Sequence, residues 1–184
     1  PRVLAAMESV PREAFVPETM RELAFADGPL PIGSGQTISQ PYVVAAMTEA
    51  LSPRPGRKIL EVGTGSGYQA AVLAETGVSL FTVEYIEELA VRARKILESI
   101  GYPDINFRVG DGHKGWPEEA PFDGILVTAA PREVPPALID QLRVGGRLVI
   151  PVGHHEQELR LYRKEPDGTT PFETLFAVRF VPLV

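Results

Sequence analysis

Residues 59–68 read Ile59-Leu60-Glu61-Val62-Gly63-Thr64-Gly65-Ser66-Gly67-Tyr68, and this stretch decides the fold. Its opening apolar residues read as a buried parallel strand. Three glycines in five positions follow, and then Tyr68-Gln69-Ala70-Ala71-Val72-Leu73-Ala74 runs in a helical pattern. Strand, glycine turn and helix in that order open a nucleotide-binding βαβ unit. The glycines let the backbone turn tightly and let a ligand approach main-chain N–H groups at the helix N-terminus.

What the turn binds is narrowed by what it lacks. The spacing is G-x-G-x-G with Tyr68 in sixth place, so the dinucleotide pattern G-x-G-x-x-G is not met. No Gly-Lys-Ser/Thr is present in the turn, so it is not a Walker loop. Glu61 stands two residues before the first glycine, at the strand's carboxyl end. A carboxylate there would repel a pyrophosphate, but it suits a ligand carrying an ammonium and a sulfonium. That combination points to S-adenosylmethionine (AdoMet). The plain alternative is a tight βα turn with Glu61 solvated.

Downstream, the chain repeats the unit. Strand 79–83 ends at Glu84, close to the ~20 residues after the first glycine at which a carboxylate meets a ribose diol. A helix over 86–100 is closed by Gly101, as Gly77 closes the helix before it. Strand 105–109 runs into Gly110-Asp111-Gly112, where an acidic side chain can accept from an adenine amino group. Strand 122–127 leads through Thr128-Ala129-Ala130-Pro131 to a short helix over 136–142. A fifth strand covers 147–152, and strands at about 157–163 and 172–181 face each other across the turn signal Pro166-Asp167-Gly168.

These elements predict a doubly wound, Rossmann-like α/β fold. The expected sheet is mostly parallel and seven-stranded, with an antiparallel C-terminal strand. One domain spans 1–184, with a sheet core at 58–184 and an N-terminal cover and loop at 1–40. Acidic residues end the first three strands in line along the carboxyl edge, where such sheets bind ligands.

Upstream, Val3-Leu4-Ala5-Ala6-Met7 is helical in pattern and breaks at Val10-Pro11; a second short piece covers Arg12–Phe15. From Gly28 to Pro41 the chain is dense in proline and glycine and uncharged, which argues against a regular element and against a solvated linker. A structured, partly buried loop of this kind is a functional candidate. Ser39 is its reactive hydroxyl or, equally, the N-cap of a helix with Pro41 in its first turn.

Composition bounds the rest. At 184 residues the chain can bury a proper core, and an apolar fraction of 44% is that of a globular protein. It shows no run of ~20 apolar residues and no signal peptide, so a cytoplasmic protein without a membrane span is expected. With no cysteine, disulfides and thiol catalysis are excluded. A net charge of −6 argues against nucleic acid as a partner. One asparagine against 18 prolines is thermophile-like. The chain opens at Pro1 rather than methionine, which suggests a trimmed or partial protein. No metal site is expected: His113 lies in a turn and His154-His155 have no ligand spacing.

The same residues resemble the protein-L-isoaspartate O-methyltransferase family. The resemblance runs through Arg2–Met7, Val10-Pro11-Arg12-Glu13-Ala14-Phe15-Val16-Pro17, Leu30–Gly33 with Gly35-Gln36-Thr37-Ile38-Ser39, and Glu61–Tyr68. It continues in Gly110–Gly112, Ala120–Asp123, Gly145–Gly153 and Val178–Leu183. The glycine turn is common to many methyltransferases; the Gly-Gln-Thr-Ile-Ser loop is specific to this one. Two departures stand out. The ends are shorter than usual, and Pro131-Arg132 follow Ala130 where the family often reads Thr-Ala-Ala-Ala-Pro.

The resemblance implies methyl transfer from AdoMet, leaving S-adenosyl-L-homocysteine, to the α-carboxylate of L-isoaspartyl residues in damaged proteins and peptides. It implies Ser39 as the catalytic residue. Cofactor contacts are then expected from Thr37, Ile38, Glu61, Gly63, Thr64, Gly65, Ser66, Gly67, Glu84, Asp111, Gly112 and Thr128. Of these, Glu61 belongs to the methionine end or the mouth near the substrate, the glycines lie under the methionine, Glu84 takes the ribose, and Asp111 with Gly112 the adenine. Ile32, Ser39, Glu61, Val181 and Pro182 are expected at the substrate. A monomer is expected.

Overall fold

The computed structural model describes Arg2–Val184. Pro1, placed by the sequence at the head of the N-terminal cover, lies outside the described residues. Helix α1 (Arg2–Ser9) and two 3-10 turns lead to strands β1 (Leu30–Gly33) and β2 (Gln36–Ile38), then to α2 (Pro41–Leu51). The sheet core follows as β3 (Lys58–Val62), α3 (Tyr68–Glu75), β4 (Ser79–Glu84), α4 (Glu87–Ser99) and β5 (Asn106–Val109). It is completed by β6 (Phe122–Val127), α5 (Pro136–Asp140), β7 (Leu142–Gly153), β8 (Gln157–Arg163) and β9 (Phe172–Val178).

The seven-stranded sheet has the order β5-β4-β3-β6-β7-β8-β9. Neighbours from β5 to β7 are parallel; β8 is antiparallel to both β7 and β9. The C-terminal hairpin thus supplies the antiparallel element, through β8, and β9 returns to the direction of the main sheet. Side-chain alternation splits the core in two. Ile59, Leu80, Leu126 and Val149 face α2, α3, α4 and the N-terminal cover. Leu60, Val62, Ile125 and Val127 face Leu138 of α5 and Trp116.

The helix linking β3 to β4 therefore lies on one face and that linking β6 to β7 on the other. Winding reverses between β3 and β6, which are hydrogen-bonded neighbours. A crevice opens beyond the carboxyl ends of strands at such a reversal.

One expectation fails. Residues 28–41 contain a regular element, the two-stranded antiparallel hairpin β1–β2. Ser34 (φ 53°) and Gly35 (φ 69°) both adopt the left-handed conformation that a tight two-residue hairpin requires. Leu30, Ile32 and Ile38 point into the core, so the proline-rich strand is anchored by burial rather than by a long ladder.

Candidate active site

At the winding reversal lies an open pocket. Its floor is Val62-Gly63-Thr64-Gly65-Ser66 at the end of β3, its sides are Glu84-Tyr85-Ile86 at the end of β4 and Thr128-Ala129 after β6, and Gly112 closes one end. Gln36-Thr37-Ile38-Ser39 of the hairpin and Val181–Val184 of the C-terminal segment form the remaining walls.

Gly63 shows why the turn is glycine. Its φ is 95°, and a Cβ there would lie 2.4 Å from the Thr128 Oγ1. That hydroxyl donates to the carbonyls of Val62 and Gly63, tying the ends of β3 and β6 together across the reversal. Gly112 is constrained by approach rather than φ: a Cβ would meet Val62 Cγ1 at 2.6 Å and Leu183 Cδ1 at 3.0 Å.

Glu84 sits on the wall with its carboxylate already oriented. One oxygen accepts from the Gly65 N–H at 2.7 Å and the other from the Ile86 N–H at 2.9 Å. Glu61 is different. The structure places it neither at the mouth nor in solvent but beneath the floor, with no exposed surface. It lies opposite Thr82 in the β3–β4 register and accepts from that hydroxyl at 2.6 Å; the Thr82 and Thr64 hydroxyls are themselves 2.6 Å apart. The other Glu61 oxygen has no partner. Burial above all, with the nearby Glu84 charge adding to it against the Thr82 hydrogen bond, pushes the Glu61 carboxyl up to about 8. Burial thus favours the neutral acid form of Glu61.

Three further expected residues do not reach the pocket. Gly67 starts α3 and faces the core, where its Cβ would touch Ala93, Leu97 and Phe15. Ile32 is buried within the hydrophobic core. The Asp111 carboxylate turns back onto its own 3-10 turn, accepting from the His113 N–H at 2.9 Å with Lys114 Nζ at 3.5 Å. Against desolvation, which would raise it, these contacts hold Asp111 below its ordinary pKa. Of that acidic motif, Gly112 alone lines the pocket.

Ser39 is not a helix cap. The N-cap of α2 is Gln40, which makes no side-chain cap bond. Ser39 instead lines both this pocket and an adjoining cleft formed by Pro29, Tyr42, Val43 and residues 176–181, a cleft that also shares Thr37, Thr128 and Val181. Beside it, the C-terminal segment is pinned: Ala130 N–H donates to Val181 O at 2.8 Å, and Leu183 N–H donates to Ala130 O at 3.0 Å. The Gln157 amide clasps both the N–H and the carbonyl of Phe180.

The pocket also takes in residues not anticipated, notably Gln36, Gln69, Tyr85, Ile86, Leu183 and Val184. Tyr85 and Ile86 could have been inferred from their place directly after Glu84. The C-terminal residues carried no local signal. His154 and His155 pack edge to face, 4.2 Å apart, away from this pocket. Among the described residues no group of three side chains suits a metal ion, and no helix is long and apolar enough to cross a membrane.

Comparison with known proteins gives a consistent picture. The family model for Protein-L-isoaspartate(D-aspartate) O-methyltransferase (PCMT) matches residues 1–184. The chain is 56% identical over 183 residues to a protein-L-isoaspartate O-methyltransferase of Gloeobacter violaceus, covering 98% of this chain and 89% of that one. It is also 56% identical to the enzyme of that name from a Picosynechococcus species, covering 100% and 82%. A solved protein-L-isoaspartate O-methyltransferase superposes with a TM-score of 0.91 at 30% identity, covering 98% of this chain and 60% of that one. A Plasmodium falciparum structure solved with S-adenosyl-L-homocysteine has the same fold, with a TM-score of 0.88 at 24% identity, covering 100% and 90%.

Proposed function

The chain belongs to the protein-L-isoaspartate(D-aspartate) O-methyltransferase family, and from that premise we propose that it methylates the α-carboxylate of L-isoaspartyl residues in damaged proteins and peptides, with AdoMet as donor. The ester then closes to a succinimide, whose hydrolysis returns part of the material to aspartate. The observation that carries the reading is Ser39 at the junction of two clefts, one built on the glycine turn and one on the extended segment 176–181.

The residues present suit AdoMet. At Gly65 a Cβ would have only Ile32 Cδ1 near it, at 3.9 Å, so main chain faces open space. The Glu84 carboxylate, held by two backbone N–H groups, keeps lone pairs for a ribose diol. Thr64, Ser66 and Gly63 line the floor, Thr37 and Ile38 the hairpin side, and Gly112 the adenine end. Bound AdoMet supplies a methyl group already activated as a sulfonium.

The chain has correspondingly little bond chemistry to do. An acceptor carboxylate with pKa about 3.5 is ionised at pH 7, so no general base is needed. The Ser39 hydroxyl donates to that carboxylate and orients it, while the hairpin and residues 181–184 keep water out. Val181 and Pro182 border the acceptor peptide. The proposal takes the protein to be a cytoplasmic monomer. Methyl transfer from labelled AdoMet to matched isoaspartyl and aspartyl peptides tests it: base-labile label on the isoaspartyl peptide alone is expected, and label on both or neither refutes the acceptor.

A further inference from the structure

Arg12 is a charged side chain with 1% of its surface exposed. Burying a guanidinium is costly unless its donors are used. Its partners are not a carboxylate. Nε donates to Ala24 O at 2.6 Å, Nη2 donates to Ser39 O at 2.8 Å, and the group lies 4.6 Å from the centre of the Tyr68 ring. Nη1 is buried with no partner. Asp27 acts on it at longer range.

The geometry joins three parts of the chain. Arg12 comes from the N-terminal cover, its first acceptor from the segment before the hairpin, and its second is the main chain of Ser39 itself. Tyr68, whose ring lies under the guanidinium, opens α3 directly after the glycine turn and also packs edge to face with Phe15, 5.7 Å away. The side chain thus links the main chain of Ser39 to the residue that follows the glycine turn. A planar fork spans two carbonyls while stacked on a ring; an ammonium on a flexible stem cannot do all three.

We infer that Arg12 is a positioning residue for Ser39: by holding the Ser39 carbonyl it fixes where that hydroxyl stands at the junction of the two clefts. This rests on the orienting role proposed for Ser39. Tolerances for such a role are narrow, since a displacement of ~1 Å can cost about 100-fold in rate.

The experiment uses R12K, S39A and the double variant in the full chain, with kcat on an isoaspartyl peptide, AdoMet Kd, and amide hydrogen exchange over residues 34–40. For R12K, kcat should fall about 100-fold while AdoMet Kd stays within about threefold. The double variant should be no slower than S39A alone, within about twofold. Exchange should quicken over 36–40 and not in the sheet. If R12K does not fold, R12Q, which removes the buried charge, carries the same readings. Unchanged exchange over 36–40 overturns the strut whatever Ser39 does. Losses that multiply in the double variant overturn action through Ser39 and leave only a structural staple. A neutral S39A refutes the Ser39 reading, and with it this inference, while the exchange data still report whether Arg12 holds the loop.

Discussion

Replacing Glu61 by glutamine should remove a pH dependence that the fold imposes. The Glu61 carboxyl is raised from 4.5 to about 8 by burial under the glycine turn. For an acid raised on folding, its contribution is fully present below the unfolded-state pKa. Above pH 4.5 the unfolded chain gives up this proton while the folded one keeps it, so stability falls by about 1.4 kcal/mol per pH unit. The fall ends near pH 8, where both states are ionised. Between pH 5 and pH 7 the loss from this one group is about 2–3 kcal/mol. Glutamine fills the same space and has no proton to lose, and every other titrating group is shared by the two proteins. Urea unfolding of the ligand-free proteins at pH 5, 6, 7 and 8 reads the difference directly. The stability of E61Q relative to the parent should rise by about 2–3 kcal/mol from pH 5 to pH 7 and level off near pH 8. A gap that does not change with pH would mean that Glu61 ionises normally and that its burial does not govern its charge.

Three other outcomes follow from the site. Ser39→Ala should lower kcat much more than AdoMet affinity, read by steady-state kinetics beside calorimetry; equal losses would refute an orienting role. Glu84→Ala should weaken AdoMet by about 1–3 kcal/mol, because it loses the ribose acceptor and strands the Gly65 and Ile86 N–H groups; unchanged affinity sinks the assignment. Gly112→Ala must displace Val62 or Leu183, costing about 1–3 kcal/mol, or 2–4 °C in Tm for each kcal/mol at this chain length. An unshifted Tm would show that the close approach is relieved without cost.

The sheet was legible because its signals are local. Apolar runs of strand length, ended by Gly63 or Glu84 and followed by capped helices, fix β3, α3, β4 and α4 to within a residue or two. The hairpin was missed because proline and glycine were counted as breakers, although Ser34-Gly35 is itself a turn signal and flanking Leu30, Ile32 and Ile38 supply an anchor. The C-terminal wall of the pocket was not legible at all beyond Val181 and Pro182. Its position depends on a bridge from Pro182 to Ala130 and on the Gln157 clasp at Phe180, pairings that no spacing announces.

Glu61 is the instructive case. Its nearness to the glycines suggested a charge at the ligand, but strand parity governs where it points. Glu61 shares a face with Ile59, and that face is covered by helices. Val62, one residue later, reaches the pocket instead. Glu61 therefore exerts no direct repulsion on a pyrophosphate in the pocket: it lies beneath the floor, and burial favours its neutral form. Glu84 does line the wall, and it accepts from the Gly65 and Ile86 N–H groups, so those two donors are already in use. The two acidic strand ends are thus not equivalent: Glu84 lines the pocket wall with its carboxylate oriented, whereas Glu61 is an acid beneath the floor whose proton is held by burial.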